Sequence, residues 1–247
     1  MDTFPYDLSP GIGHRANLGL VVLQTDETIE HEAALFDRPG LARYVTRVPS
    51  GAEVTQDSLR AMAEELPRAA SLLPPSVAFD VIGYGCTSGS MAIGPDRVAA
   101  LVSGAATCRA VTNPLTAGIA ACQVLGVKRL AVLTPYIETV SRPLCEAFET
   151  AGIAVTGHLS FGEEVEARVA RIDPSSIAAA AREVGAAEAC DAVFLSCTNL
   201  RCFDVIDGLE NVLGKPVLSS NQVLFWHMAQ LAGLTDLDGP GQLFSQR

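Results

Sequence analysis

The chain has 247 residues, 49% of them hydrophobic, which is enough to bury a substantial core in one or two domains. Its formal net charge is −11 and its pI is near 4.8, so a nucleic-acid partner, which requires a basic surface, is not expected. The amino-terminal segment has no basic stretch before an apolar one, and no apolar run approaches the ~20 residues of a membrane span. We therefore expect a cytoplasmic protein without a membrane contact.

The first half of the chain alternates apolar strands with helices. After an irregular arm over residues 1–16, apolar stretches predict strands at 18–23, 42–48, 81–85 and 108–112. Helices are predicted to start near Asp26, where acidic residues occupy the first turn, and at 55–73, 95–103 and 115–125. Thr55 and Ser58 resemble a capping box, and two prolines after residue 73 end that helix.

The second half repeats the pattern. Strands are predicted at 129–133, 153–158, 193–196 and 216–219. Helices are predicted from Tyr136 to about residue 151, from Pro174 to Glu188, from Cys197 to Gly214, and over 220–231.

The two halves have nearly the same spacing. Leu18 lies 68 residues before Cys86, and Leu130 lies 67 residues before Cys197. Alternating strands and helices imply parallel sheets covered on both faces. We therefore predict an α/β fold of two pseudo-symmetric, doubly wound (Rossmann-like) half-domains, 1–127 and 128–247, with a helix that can cross over. The carboxyl ends of their strands would meet in a cleft that holds the active site.

Two cysteines occupy matching places in this repeat. Cys86 and Cys197 each lie six residues after an aspartate, Asp80 and Asp191, and end an apolar run. A helix N-terminus at such a cysteine can lower its pKa from ~8.5 towards neutrality. One thiolate and one thiol on opposite sides of a substrate can act as base and acid at a single carbon. The remaining cysteines show no such repeat and are interpreted as core residues: Cys108, Cys122, Cys145, Cys190 and Cys202.

No cofactor motif accompanies these cysteines. The odd cysteine count argues against a disulfide framework, no histidine has metal-ligand spacing from a cysteine, and no glycine-rich nucleotide motif is present. Hydroxyl, amide and N–H groups do surround both cysteines, and they can bind a carboxylate or an enediolate, or simply cap helices. These groups belong to Thr87, Ser88, Gly89, Ser90, Thr198 and Asn199.

The sequence resembles the Asp/Glu racemase superfamily, in the branch of maleate cis-trans isomerase, arylmalonate decarboxylase and the ectoine-utilisation protein A group. The resemblance rests on residues 20–30, Gly83-Tyr-Gly-Cys-Thr-Ser-Gly89, Leu133-Thr-Pro-Tyr136, Ser196-Cys-Thr-Asn199 and Pro216-Val-Leu-Ser-Ser-Asn221. It implies that Cys86 and Cys197 form an acid/base or nucleophile pair, that neither cofactor nor metal is used, and that a carboxylate pocket is formed by Thr87, Ser88, Tyr136 and Thr198.

Departures from the family pattern bear on the substrate. The decarboxylase branch is similar but has glycine at the first cysteine position, so two cysteines disfavour decarboxylation. Maleate isomerases resemble this chain but carry asparagine where it has Asp26. Asp26 would repel a dicarboxylate and could pair with a substrate ammonium, or it could cap a helix. The stretch 24–28 is most similar to the ectoine-utilisation group, which implies an amino-acid derivative as substrate.

Other polar candidates follow strands on the same side. Asn113 and Asn221 could orient a carboxylate or make turns. The acidic run from Glu163 to Glu166 is interpreted as a solvated loop or helix face. Apolar helix residues 177–181 would suit a partner subunit in a homo-oligomer, or could cover a sheet.

Three functions remain open at this point. The first is a cofactor-independent racemase that acts on a small amino acid or N-acyl amino acid by proton transfer between Cys86 and Cys197. The second is maleate cis-trans isomerisation through covalent addition of a cysteine. The third is a protein that binds a small acid without turning it over.

Overall fold

Two parallel four-stranded sheets form the centre of the computed structural model, which describes residues 1, 3–187 and 189–246. The strands of the first sheet are β1 (Ala16–Leu23), β2 (Leu41–Val48), β3 (Phe79–Gly85) and β4 (Cys108–Thr112), in the order β2-β1-β3-β4. Those of the second are β5 (Arg129–Tyr136), β6 (Ala154–Glu163), β7 (Ala192–Leu195) and β8 (Val217–Ser219), in the order β6-β5-β7-β8. The identical order confirms the predicted α/β fold with two pseudo-symmetric halves.

The helices cover the faces of these sheets. The shorter ones are α1 (Ile29–Ala33), α3 (Thr87–Ile93), α4 (Pro95–Ser103) and α7 (Glu166–Val169). The longer ones are α2 (Gln56–Ala70), α5 (Pro114–Val124), α6 (Glu138–Thr150), α8 (Pro174–Gly185), α9 (Phe203–Leu213) and α10 (Ser220–Ala232). The predicted capping box is present, since the Thr55 side chain accepts from the Ser58 amide at the start of α2. Among the described residues, no helix is long and apolar enough to cross a membrane.

Most predicted strands and helices agree with the structure to within a few residues, but three differ in ways that matter for the site. β5 continues through Tyr136, and β6 continues to Glu163 instead of ending at His158. The helix predicted from Cys197 begins only at Phe203. The predicted end of α8, Glu188, lies outside the described residues.

Each half packs its last helix against the sheet of the other half. On α5, Gly118 lies so close to Phe194 of β7 that an added Cβ would be 3.1 Å from its ring. On α10, Met228 and Leu224 lie against Gly83 of β3 in the same way. This exchange helps to bury the central strands β1, β3, β5 and β7, which are mostly apolar, whereas the edge strands β2 and β6 carry polar and exposed residues. It also fixes the carboxyl ends of β3 and β7 against each other.

Candidate active site

The two cysteines of the repeat lie at the carboxyl ends of equivalent strands. Cys86 follows β3 directly and is the N-cap of α3, where its Sγ accepts from the Gly89 amide at 3.1 Å. Cys197 lies two residues beyond β7, and its Sγ accepts from the Asn199 amide at 3.3 Å. Ser220 joins the two loops, because its Oγ accepts from the Thr87 hydroxyl at 2.8 Å and from the Cys197 amide at 2.9 Å.

One small cavity lies between these loops. Its walls combine six residues that the sequence predicted for the site with two others. The lining residues are Leu23, Cys86, Thr87, Ser88, Tyr136, Glu166, Cys197 and Thr198. Both cysteines therefore border the same small space, as a two-sided proton transfer requires.

The Cys197 loop is strained, not helical. Cys197 has a φ of 120°, the only positive value of a non-glycine residue in the described part of the chain. Such a conformation costs of order 1–3 kcal/mol for a residue with a Cβ, and it often occurs at functional positions. The prediction that Cys197 begins a helix is wrong, because the chain turns sharply after β7 before α9 starts.

Glu166 is the residue that the sequence interpretation missed. The sequence analysis interprets it as part of a solvated acidic run, but it is only 4% exposed. Its carboxyl accepts hydrogen bonds from the Tyr136 hydroxyl at 2.7 Å and from the side-chain amide of Asn199 at 2.9 Å. Tyr136 also lies 3.0 Å from Cys197 Sγ. The cause is the length of β6, which carries the chain past His158 to the cleft, so that α7 begins beside the cavity.

The predicted asparagines lie outside the cavity wall. The Asn199 side chain binds Glu166 and accepts from the Glu27 amide at 2.8 Å. Asn221 donates to Glu32 at 2.7 Å and to the Thr198 carbonyl at 2.8 Å, so it supports the Cys197 loop from behind. Asn113 accepts from the first two free amides of α5, so it caps this helix and does not reach the cavity wall.

Asp26 is 3% exposed and lies between β1 and α1. Its Oδ1 accepts from the amides of Thr28 and Ile29, both at 2.8 Å, whereas Oδ2 has no hydrogen-bond partner among the described residues. Arg47 donates to the Asp26 carbonyl at 2.9 Å. Burial raises the pKa of Asp26 above its usual value. Asp26 thus combines helix capping with a side-chain contact to Thr198, which lines the cavity.

The site does not lower the pKa of either thiol, which corrects the expectation from the sequence. Burial raises the pKa of Cys86 to about 12 and that of Cys197 well above its ordinary value. The nearby carboxyls of Glu166 and Asp26 raise both values further, and the amides of Gly89 and Asn199 only partly offset them. At neutral pH both residues are therefore thiols until a base acts on them.

A family model described as arylmalonate decarboxylase (Amdase) matches residues 18–244. The chain belongs to this family. It is 33% identical over 138 residues to arylmalonate decarboxylase of Bordetella bronchiseptica, a match that covers 55% of this chain and 58% of the relative, less than two thirds of its length. It is 30% identical over 175 residues to maleate isomerase of Geobacillus stearothermophilus, covering 68% and 69% of the two chains.

The fold is also that of a solved maleate cis-trans isomerase from Nocardia farcinica. That structure, a cysteine-to-serine variant with a covalently bound succinylcysteine intermediate, superposes with a TM-score of 0.84 at 22% identity and covers 94% of this chain and 99% of its own. These comparisons confirm the predicted branch of isomerases and decarboxylases.

Proposed function

We propose that this protein is a cofactor-independent racemase acting on the α-carbon of a small amino acid or N-acyl amino acid. The observation that carries the proposal is the pair of cysteines on one cavity whose charged neighbours are carboxyls. One cysteine, as thiolate, removes the α-proton, and the other, as thiol, donates a proton to the opposite face. The chain ends each turnover with the two protonation states exchanged.

The cavity offers hydrogen-bond donors for the substrate carboxylate. The amides of Thr87 and Ser88 belong to the first turn of α3, where a helix leaves N–H groups without intrahelical partners. Such groups bind a carboxylate and stabilise the extra charge of the enediolate formed when the α-proton leaves. Tyr136 lines the same space from the opposite half, with its hydroxyl hydrogen donated to Glu166.

The charge distribution favours a substrate that carries an ammonium or amide group. No lysine, arginine or histidine lines the cavity within the described residues, whereas Glu166 does. The Asp26 carboxyl, which contacts the Thr198 side chain, is close enough to raise the pKa of both thiols. A second carboxylate on the substrate would meet these acids at low dielectric, and a positive group would be attracted to them. Amino acids of the diaminobutyrate type, including N-acyl forms, fit this requirement.

Maleate cis-trans isomerisation is the second candidate. It is favoured by the identity to the Geobacillus stearothermophilus maleate isomerase and by the succinylcysteine found in the Nocardia farcinica enzyme. In this reaction one cysteine adds to the double bond, the central bond rotates, and the cysteine leaves. The buried carboxyls oppose a dianion such as maleate, which is why we place this candidate second.

Proton NMR in D₂O separates the candidates. Purified protein is incubated with aspartate, glutamate, N-acetyl-diaminobutyrate or maleate, alongside the variants Cys86→Ala and Cys197→Ala and the matched control Cys108→Ala on β4. Deuterium at Cα that persists in the control and is lost in both site variants supports racemisation. Fumarate from maleate, with a succinylated cysteine in the mass spectrum, supports the second candidate. Binding without exchange or isomerisation contradicts both.

A further inference from the structure

A hydrogen-bonded path joins Cys197 to a buried carboxyl. The Tyr136 oxygen lies 3.0 Å from Cys197 Sγ and 2.7 Å from Glu166 Oε1. The phenol has one hydrogen, which it donates to the carboxylate, so the thiol of Cys197 is the donor to the phenol oxygen. All three groups are buried, which excludes bulk water from the path.

The carboxyl at the end of this path is fixed in place. Glu166 Oε2 accepts from Asn199 Nδ2 at 2.9 Å. The side-chain oxygen of Asn199, Oδ1, accepts from the backbone amide of Glu27 at 2.8 Å, which sets the orientation of the Asn199 side-chain amide. The backbone amide of Asn199 also donates to Cys197 Sγ at 3.3 Å. One residue therefore holds both the proton donor and the proton acceptor.

Cys86 has no equivalent path. Its neighbouring phenol, Tyr84, is hydrogen-bonded to the Cys86 side chain and lies 3.8 Å from Met62 Sδ, and the Gly89 amide donates to Cys86 Sγ. Among the described residues, no carboxyl is hydrogen-bonded to Tyr84 or to Cys86. The two cysteines therefore occupy equivalent positions with different access to a proton acceptor.

We infer that Glu166 is a positioning residue that generates the Cys197 thiolate by accepting its proton through Tyr136. The S–H bond of Cys197 breaks and its proton passes to the Tyr136 oxygen, while the phenol proton passes to Glu166 Oε1. The products are a thiolate, an unchanged phenol and a carboxylic acid, and the total charge does not change. Its consequence for catalysis rests on the proposed function. In that reaction, the transfer makes Cys197 the base that acts first and Cys86 the acid.

The electrostatics of the site give this transfer a distinct pH dependence. Burial raises the pKa of Glu166 and, more strongly, that of Cys197, so the thiolate formed by this transfer is a minor population. Because the proton moves within the site, the thiolate population is constant once Glu166 has lost its own proton. The titratable or charged groups that surround this path are Cys86 after β3, Asp26 after β1, Arg47 on β2 behind Asp26, and Glu53 across from α7.

The test measures alkylation of Cys197 by iodoacetamide between pH 7 and 9, read from the Cys197 peptide by mass spectrometry. Only the thiolate reacts. In the wild type the rate is expected to be nearly independent of pH over this range. In Glu166→Gln it is expected to rise about tenfold per pH unit, because the thiol must then lose its proton to solvent.

Two further variants keep the test informative if Glu166→Gln folds poorly. Tyr136→Phe retains the carboxyl but interrupts the path, so it should also show the tenfold rise per pH unit. Glu164→Gln makes the same charge change at an exposed position two residues away and should keep the pH-independent rate.

The outcomes separate this inference from the proposed function. A tenfold rise per pH unit in the wild type, or a pH-independent rate retained in Tyr136→Phe, overturns the path. If Glu166 acted only as a nearby negative charge, its replacement would shift the whole profile to lower pH without changing its slope. Alkylation needs no turnover, so an inactive protein with the expected profiles would refute the racemase proposal and leave the path in place.

Discussion

Glu32 provides the strongest test of the buried charges in this protein. It lies on α1, is 4% exposed, and accepts from the Cys202 and Phe203 amides at 2.9 and 3.1 Å and from Asn221 at 2.7 Å. These contacts attach the first half of the chain to the loop that follows Cys197. Burial nevertheless raises the pKa of Glu32 from 4.5 to about 7.

The raised pKa makes folding less favourable as the pH rises. Between 4.5 and about 7 the folded state binds the Glu32 proton while the unfolded state has lost it, so the penalty is absent below this window and complete above it. At 1.36 kcal/mol per pKa unit the full penalty is about 3 kcal/mol, of which about 2 kcal/mol develops between pH 5.5 and 8. Glu32→Gln removes the ionisation and keeps an oxygen acceptor for the two backbone amides.

Urea unfolding followed by Trp226 fluorescence measures this effect at pH 5.5 and 8. We expect the unfolding free energy of Glu32→Gln, relative to wild type, to increase by about 2 kcal/mol from the lower to the higher pH. Glu64→Gln on the exposed face of α2 is the matched control and should show no such change. Equal pH dependence in Glu32→Gln and wild type would refute the reasoning.

Three further substitutions test the site and its packing. Asp26→Asn should raise kcat/KM for maleate relative to an amino acid by about tenfold, the factor for one pKa unit of charge interaction, as measured in competition assays. The free energy of unfolding of Cys197→Gly should be about 1 kcal/mol higher than that of Cys197→Ala, because glycine adopts the φ of 120° without strain. Equal urea midpoints for the two variants would contradict this prediction. Gly89→Ala should cost about 1–3 kcal/mol in urea unfolding, since its Cβ would lie 2.9 Å from Cys86 Sγ, whereas Gly208→Ala, with open space around it, should be neutral or stabilising.

The fold was predictable because the signals that set it are local and repeated. Buried parallel strands must be apolar along their whole length, and the spacing of Leu18 to Cys86 recurs from Leu130 to Cys197. The repeat alone placed the two cysteines at equivalent strand ends. The exchange of α5 and α10 between the sheets depends on contacts between distant segments, which no local pattern specifies.

Glu166 shows why part of the site could not be read from the sequence. Its neighbours are acidic and polar, a composition typical of a solvated surface, and its burial depends on how far β6 runs beside β5. Pairing continues to Glu163, opposite Tyr136, and an isolated bridge between Glu53 and Val165 then holds the segment over the cleft. The apolar Val165 and Val169 on either side of Glu166 were the available signal that this acidic run turns inward.

The two halves of the site differ because the strand ends that line the cavity carry different side chains. β1 ends at Leu23 and β5 ends at Tyr136, and both residues line the cavity. An apolar side chain in the first half cannot relay a proton, whereas the phenol in the second half contacts both Cys197 and Glu166. In the proposed reaction, the repeated fold supplies the two thiols and the unrepeated residues decide which thiol loses its proton first. A two-cysteine isomerase needs both properties, since two identical buried thiols would provide an acid on each side and no base.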